Sequence, residues 1–396
     1  MSSSRSNGAL VLLIAASIAV GQSGVSLYLP AIPGIGSDLN IPSSQMALTL
    51  TVYFAGFAFF NLFSGPFSDV LGRRFMILRG LEVFGIGTLL CAMSTDISVL
   101  MAGRTLQAFG AGVAPVVGKA MIQDTSSEDR TVILMGWLGA AMSITPAVAP
   151  FIGGIIAENL RWQWTFWSLL IFSAVVWLLN FSLLTERRPA PSSRHIPFIS
   201  VFKTYWEILG NRIYMGYILL LGACFGGLGA YYTASPFIFI SGFRLSPSSY
   251  GLITLIAATG FIIGNLVAGY IVRNRSPRRT FYAGEAFLLA AALGMFCMPR
   301  EMVTSATVLG MTFLFTVGFG MIFPIATKEA LGCYVERAGA AAALMGCFQL
   351  GGSALSSLAV GFLQSRGVSS YSAMAFIVFL FVTPALVNIH RTQRNL

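Results

Sequence analysis

Twelve runs of apolar residues, joined by short connections that hold most of the charges, make up nearly the whole chain. They fall near 9–29, 45–67, 76–94, 97–122, 131–157 and 163–184, and again near 211–240, 249–272, 280–298, 302–327, 338–364 and 368–389. Each reaches about 18 residues or more, long enough for a helix to cross a bilayer core of ~30 Å. The ~10-residue alternating segments of a membrane β-barrel do not occur. The pattern therefore predicts an all-α integral membrane protein with twelve transmembrane helices. The first run, in "MSSSRSNGALVLLIAASIAVGQSG", resembles a secretion signal. It continues to Tyr28 without a small-residue cleavage site, so it reads as the first span.

Between the sixth and seventh runs lies "TERRPAPSSRHIPF", whose prolines, serines and arginines mark a linker. The expected organisation is an N-terminal six-helix bundle over 1–184, a linker over 185–210 and a C-terminal bundle over 211–396. Composition agrees: 56% of the 396 residues are hydrophobic and 10% are charged, against about a quarter charged in soluble domains. Mean hydropathy is +0.79.

The net charge of +10 raises the question of nucleic acid, but the basic residues are sorted by side of the membrane. With a cytoplasmic N-terminus, only Arg161, Arg244, Arg300 and Arg366 of the 24 Lys and Arg face outward, and Arg104 lies within a helix. That bias predicts cytoplasmic termini and a cytoplasmic linker, and no nucleic-acid partner. Cys91, Cys224, Cys297, Cys333 and Cys347 are scattered through apolar runs with no metal spacing and read as packing residues. His195 and His390 fall in loop and tail. No metal, cofactor or P-loop is expected.

The halves repeat. "GFAFFNLFSGPFSDVLGRRFMILRG" (56–80) aligns without a gap on "GFIIGNLVAGYIVRNRSPRRTFYAG" (260–284), pairing Gly56 with Gly260, Phe57 with Phe261, Asn61 with Asn265, Gly65 with Gly269, Arg74 with Arg278 and Gly80 with Gly284. A two-fold repeat of six helices, with a substrate path between the halves near the midplane, is a transporter architecture.

Gly65-Pro66-Phe67-Ser68-Asp69, then Gly72-Arg73-Arg74, resembles the cytoplasmic loop signature of the major facilitator superfamily. "LMAGRTLQAFGAG" is similar to its fourth-helix motif through Arg104, Gln107, Gly110 and Gly112, with Lys119 and Asp124 following at a family-like basic residue and aspartate. "PAVAPFIGG" resembles the fifth-helix antiporter motif through Pro150, Gly153 and Gly154. "YLPAIP" is similar to the first-helix end of the Bcr/CflA drug:proton antiporters. Val70 replaces the arginine usual in the loop signature, and Val25 and Ser26 stand where many of that subfamily carry an aspartate. The resemblance implies two pseudo-symmetric six-helix bundles, proton-coupled drug efflux through the inner membrane, and a role for Arg104 in proton coupling.

Residue by residue, a latch is expected at the cytoplasmic corner from Gly65, Asp69, Gly72, Arg73, Arg74, Lys119 and Asp124. Its competitor is a pair of arginines that only sets topology. Arg104 sits roughly 10 Å inside the membrane, where a charge is costly and function is the default reading; Gln22 is a candidate hydrogen-bond neighbour. Glu82 is a candidate proton carrier, against the plainer reading of an Arg79–Glu82 pair near the headgroups. Glu285 takes a nearby place in the other half. Tyr53, Phe57, Asn61, Phe225, Tyr231, Tyr232, Phe261 and Gln349 are candidate pocket residues, since aromatic walls take apolar and cationic compounds; helix packing would use the same residues.

The expected function is a monomeric, proton-coupled exporter of small amphipathic compounds, working by alternating access with protons and lipid as its other partners. The alternative is a dedicated exporter or importer of one metabolite or siderophore. A membrane enzyme should show converging His, Asp or Cys groups, and a receptor should carry a signalling domain. Neither feature is visible, and no enzymatic activity is expected.

Overall fold

The computed structural model describes all residues other than 1, 126–127, 187–197, 275, 335–336 and 395–396. Twelve helical segments among the described residues are long and apolar enough to cross a membrane. In the first half they are built from α1 (Ser2–Ser26) with α2 (Ile32–Asp38), α3 (Ser43–Leu71), α4 (Arg73–Ala92), α5 (Ile97–Ala111) with α6 (Ala114–Thr125), α7 (Glu128–Asn159) and α8 (Gln163–Leu183). After a short α9 (Phe198–Leu209), the second half follows as α10 (Arg212–Pro236), α11 (Pro247–Asn274), α12 (Pro277–Cys297), α13 (Ser305–Gly332), α14 (Ala338–Ser365) and α15 (Ser370–Arg394).

Local chemistry sets the ends. Asp96 caps α5 by accepting from the Ser98 and Val99 amides at 2.7 and 3.1 Å, and Asn211 does the same for α10. Gly72 turns the chain between α3 and α4 at φ +94°, a backbone state that favours glycine. The apolar outer faces stay open: Trp137 and Tyr270 are 70% and 72% exposed, as expected where lipid rather than water surrounds the helices.

The repeat survives as packing. A Cβ on Gly110 would strike the Gly80 carbonyl and the Phe84 amide, and one on Gly318 would strike the Gly284 carbonyl and the Leu288 amide. Gly80 and Gly284 are a repeat pair, so α5 meets α4 as α13 meets α12. The halves join along two seams, α3 against α14 and α7 against α11. Ser357 donates to the Ala47 carbonyl at 3.1 Å across the first.

Part of the expected linker is helical, as α9. Residues 187–197 of that linker, His195 among them, lie outside the described residues. Tyr205 on α9 donates to the Leu62 carbonyl at 2.7 Å. Arg337, just before α14, pairs with Glu207 at 2.6 Å. The helix thus touches both halves.

Candidate functional site

The centre of the first half is a buried cation. Arg104 is fully buried on α5. Its Nη1 donates to the Gly24 carbonyl at 2.6 Å and to Gln107 Oε1 at 2.9 Å. Gln107 Nε2 donates onward to Thr88 Oγ1 at 2.8 Å. The guanidinium carbon sits 4.2 Å from the Tyr53 ring centre and 4.5 Å from that of Tyr28. Tyr53 donates to the Gly21 carbonyl at 2.6 Å, and the Tyr28 and Thr49 hydroxyls lie 2.8 Å apart.

The Gly24 carbonyl is available for a local reason. The last carbonyls of a helix lack intrahelical donors, and the end of α1 tightens: the Tyr28 amide bonds to Val25 rather than Gly24. A cation at a helix C-terminus is also favoured by the helix dipole. Glycine at 24 permits the approach, since a Cβ there would lie 2.6 Å from the Tyr53 hydroxyl. Among the described residues no carboxylate pairs with Arg104, and its Nε and Nη2 have no hydrogen-bond partner. Two aromatic faces offset part of that cost, at ~2 kcal/mol for a desolvated cation–π contact. The node keeps open donor capacity.

Gln22 is not the neighbour of Arg104 that was expected. Among the described residues its Oε1 has no partner; two helical residues turn the chain about 200°, and Gly24 presents the accepting atom instead. The partners actually used are Gln107 and Tyr28, which lie inside the fourth-helix and first-helix motifs. The Arg104–Gln107 spacing of three was the available signal.

The corner between α3 and α4 divides its arginines. Arg73 is buried, with Nε 2.6 Å from Asp124 and Nη2 3.3 Å from Asp69, so it ties α4 to α3 and α6. Arg74 turns away. Its Nε and Nη2 donate to the Leu184 and Phe181 carbonyls at 2.6 and 2.7 Å, and its amide donates to Glu186 at 2.8 Å. Arg74 therefore caps the end of α8 instead of joining Asp124. Lys119 stays exposed with no ion pair among the described residues and is not part of the corner. Gly65 packs near Val116 of α6, where a Cβ would sit at 3.5 Å.

Pro150, Gly153 and Gly154 lie on a seam. A Cβ on Gly153 would meet the Leu27 carbonyl at the end of α1, and one on Gly154 the Pro247 carbonyl of α11. From the other side, a Cβ on Gly251 would come within 2.6 Å of the Pro150 carbonyl. The motif thus joins α7 to α11 and to the terminus that Arg104 grips.

The candidate pocket residues separate into two groups. Tyr53, Asn61 and Tyr231 are buried, and among the described residues the Asn61 Oδ1 has no partner. Phe57, Phe225, Tyr232, Phe261 and Gln349 remain half-buried. Phe225 and Phe261 belong to one cluster with Phe319, at ring distances of 5.4 and 5.0 Å. Glu82 sits at the rim: Arg79 donates to it at 2.6 Å and Trp177 at 3.1 Å. Its counterpart Glu285 is buried on α12 beside Cys224 of α10.

The Major Facilitator Superfamily model matches residues 12–357. The chain belongs to the major facilitator superfamily. Among its relatives are multidrug resistance protein MdtL of Escherichia coli O81 (strain ED1a), 29% identical over 88% of this chain and 85% of the relative, and MdtL of Salmonella heidelberg, 28% identical over 96% and 92%. The fold agrees with the partially occluded inward-open xylose transporter XylE from E. coli, at TM-score 0.76 and 12% identity over 97% of both chains. It also agrees with an inward-facing, unoccupied bacterial homologue of the human lysosomal transporter Spinster, at TM-score 0.74 and 14% identity over 99% and 97%. As a superfamily member the chain is a multi-pass membrane transporter of small molecules, built as two pseudo-symmetric six-helix bundles.

Proposed function

We propose that this superfamily member is a proton-coupled exporter of small amphipathic compounds, acting as a monomer in the bacterial inner membrane by alternating access. Both termini and the 185–210 linker then lie in the cytoplasm, as the distribution of Lys and Arg favours. The MdtL relatives, whose names mark them as multidrug resistance proteins, support the cargo class. Half-buried Phe57, Phe225, Tyr232, Phe261 and Gln349 offer that cargo aromatic walls and an amide.

The observation that carries the proposal is Arg104 gripping the end of α1. That end is touched by Gly153 of the α7–α11 seam, three residues along the chain from Gly24. Rocking at the seam moves the carbonyl that Arg104 holds, and the unsatisfied Nε and Nη2 can take up an acceptor in the other state. The proton carrier is Glu285, a carboxylate inside the second half beside α10, because Glu82 is held by Arg79 and Trp177 at the rim. Protonation removes a buried charge and biases the two-state equilibrium.

The test is reconstitution into liposomes with an imposed pH gradient and a panel of dyes. Expected is dye movement driven by the gradient, and loss of that drive with dye binding retained in Glu285→Gln. Movement indifferent to collapse of the gradient overturns proton coupling.

A further inference from the structure

α6 carries a cation that neither the corner nor the Arg104 node uses. Lys119 sits within the membrane-crossing segment Ile97–Asp124, about 8 Å before its end at 1.5 Å per residue. It is exposed, and among the described residues it has neither a hydrogen bond nor an ion pair. A charge at that depth is costly unless it faces a cavity or a partner, so function is its default reading.

The neighbours of α6 show which way Lys119 faces. A Cβ on Gly65 of α3 would meet Val116, and one on Gly118 would meet Ile14 of α1. At about 100° per residue, Lys119 falls between these contacts, about 60° short of Val116 and about 100° past Gly118. Val113, against Gly80 of α4, lies on the far side. α3 packs on α14, and α1 packs on the α7 that meets α11. The sector between α1 and α3 therefore looks across the gap to the second half.

Across that gap, the repeat register of Gly110 with Gly318 puts Phe323 opposite Pro115 and Thr327 opposite Lys119. Phe323 and Thr327 are half-buried, and Thr327 Oγ1 has no hydrogen-bond partner among the described residues. The Phe323 ring centre lies 5.6 Å from that of Phe261 and 6.3 Å from that of Phe225. The cation of the first half thus faces an uncharged place. An aromatic wall stands one turn away, about 6 Å along the helix axis.

We propose that Lys119 holds a carboxylate of the cargo, so that the compounds carried are anionic amphiphiles. Its ammonium donates to the carboxylate oxygens, and the apolar body lies on Phe225, Phe261 and Phe323. A neutral compound gains the rings alone. A cationic one gains the same rings but meets the like charge of Lys119. Lys119 thereby adds a charge class to the exporter reading above, on which this assignment rests.

Fluorescence anisotropy of the full-length protein in detergent, with no pH gradient, tests it with dansyl-leucine and its uncharged match dansyl-leucinamide. Dansyl-leucine is expected to bind about ten-fold more tightly, the low end for a hydrogen bond between charged groups. Lys119→Gln should abolish that preference and leave dansyl-leucinamide binding as in wild type, whereas Lys119→Arg should keep the preference. Lys119→Met gives the same readout as Lys119→Gln where the latter fails to fold. Equal binding of the two probes by wild type, or a preference that survives neutralisation of Lys119, overturns the assignment and leaves the exporter reading standing. Binding of neither probe overturns both.

Discussion

The two halves share a backbone but not a chemistry. Gly80 with Gly110 and Gly284 with Gly318 set equivalent helix contacts, and that equivalence places Thr312 opposite Arg104 and Phe315 opposite Gln107. In the first half the place holds a buried cation, an amide and two tyrosine faces. In the second, Thr312 bonds back to the Val308 carbonyl at 2.9 Å and Phe315 packs against Gly227. The corners differ likewise: Arg73 bridges Asp69 and Asp124, whereas the Arg278 side chain donates to the Tyr282 hydroxyl at 2.8 Å on the surface. Glycines hold the symmetric scaffold because backbones must approach closely there. With the cation held in the first half, the equivalent place in the second is free to keep aromatic packing.

The sharpest way to break the comparison is to exchange its centre. Arg104→Ala should lower gradient-driven transport about 100-fold, since hydrogen bonds to a charge are worth ~1.5–3 kcal/mol each. Thr312→Val should leave transport within a factor of two, roughly 0.4 kcal/mol. Equal losses in liposome uptake would mean that the node has no special standing. Next comes the seam, where the halves should behave alike. Gly154→Val and Gly251→Val each force a side chain onto a facing backbone, at about 1–3 kcal/mol. Both should lower the melting temperature and slow transport to a similar degree; a tolerant Gly251 would deny that the seam is shared.

A smaller effect is expected at the corners. Asp124→Asn should reduce transport several-fold by releasing buried Arg73. Arg278→Gln should stay within about 0.5 kcal/mol of wild-type stability, as exposed sites do; parity in uptake would return both corners to topology alone.

The smallest effect concerns α9, which belongs to neither half. The hydrogen bond from Arg337 holds the Glu207 carboxyl below its ordinary value. A lowered pKa contributes stability above the unfolded value, near 4.3, and loses it as pH falls through the folded value. Melting curves should thus show no contribution from this pair to pH dependence between pH 7 and 5. Below about pH 4, wild type should lose slightly more stability than Glu207→Gln, and equal slopes would remove the pair as a strap.

Much of the fold was legible because it rests on local composition. An apolar run must be helical in lipid to satisfy its own backbone, so ten of the eleven connections between spans follow from charge, glycine or proline alone. The remaining one contains α9, whose twelve residues are too few to announce a span and read as linker. At the site, the depth of Arg104 was legible from the cost of a charge in lipid, but the roles of Gln22, Arg74 and Lys119 were not. That of Arg74 depended on where α8 ends, and that of Gln22 on which carbonyl the last turn of α1 leaves free. Glu82 and Glu285 occupy nearly the same repeat position, yet Arg79 and Trp177 claim one and α10 covers the other.

What the chain alone determined is therefore what local sequence can impose: twelve spans, their sorting of positive charge, the two-fold repeat and the anomaly of a deep arginine. What tertiary structure decided is who meets whom. Arg104 finds a carbonyl 80 residues away, and Arg74 one 110 residues away. Hydropathy and helical period act within about twenty residues, while the last turn of a distant helix, tightened by one hydrogen bond, chooses which carbonyl is left to receive a cation.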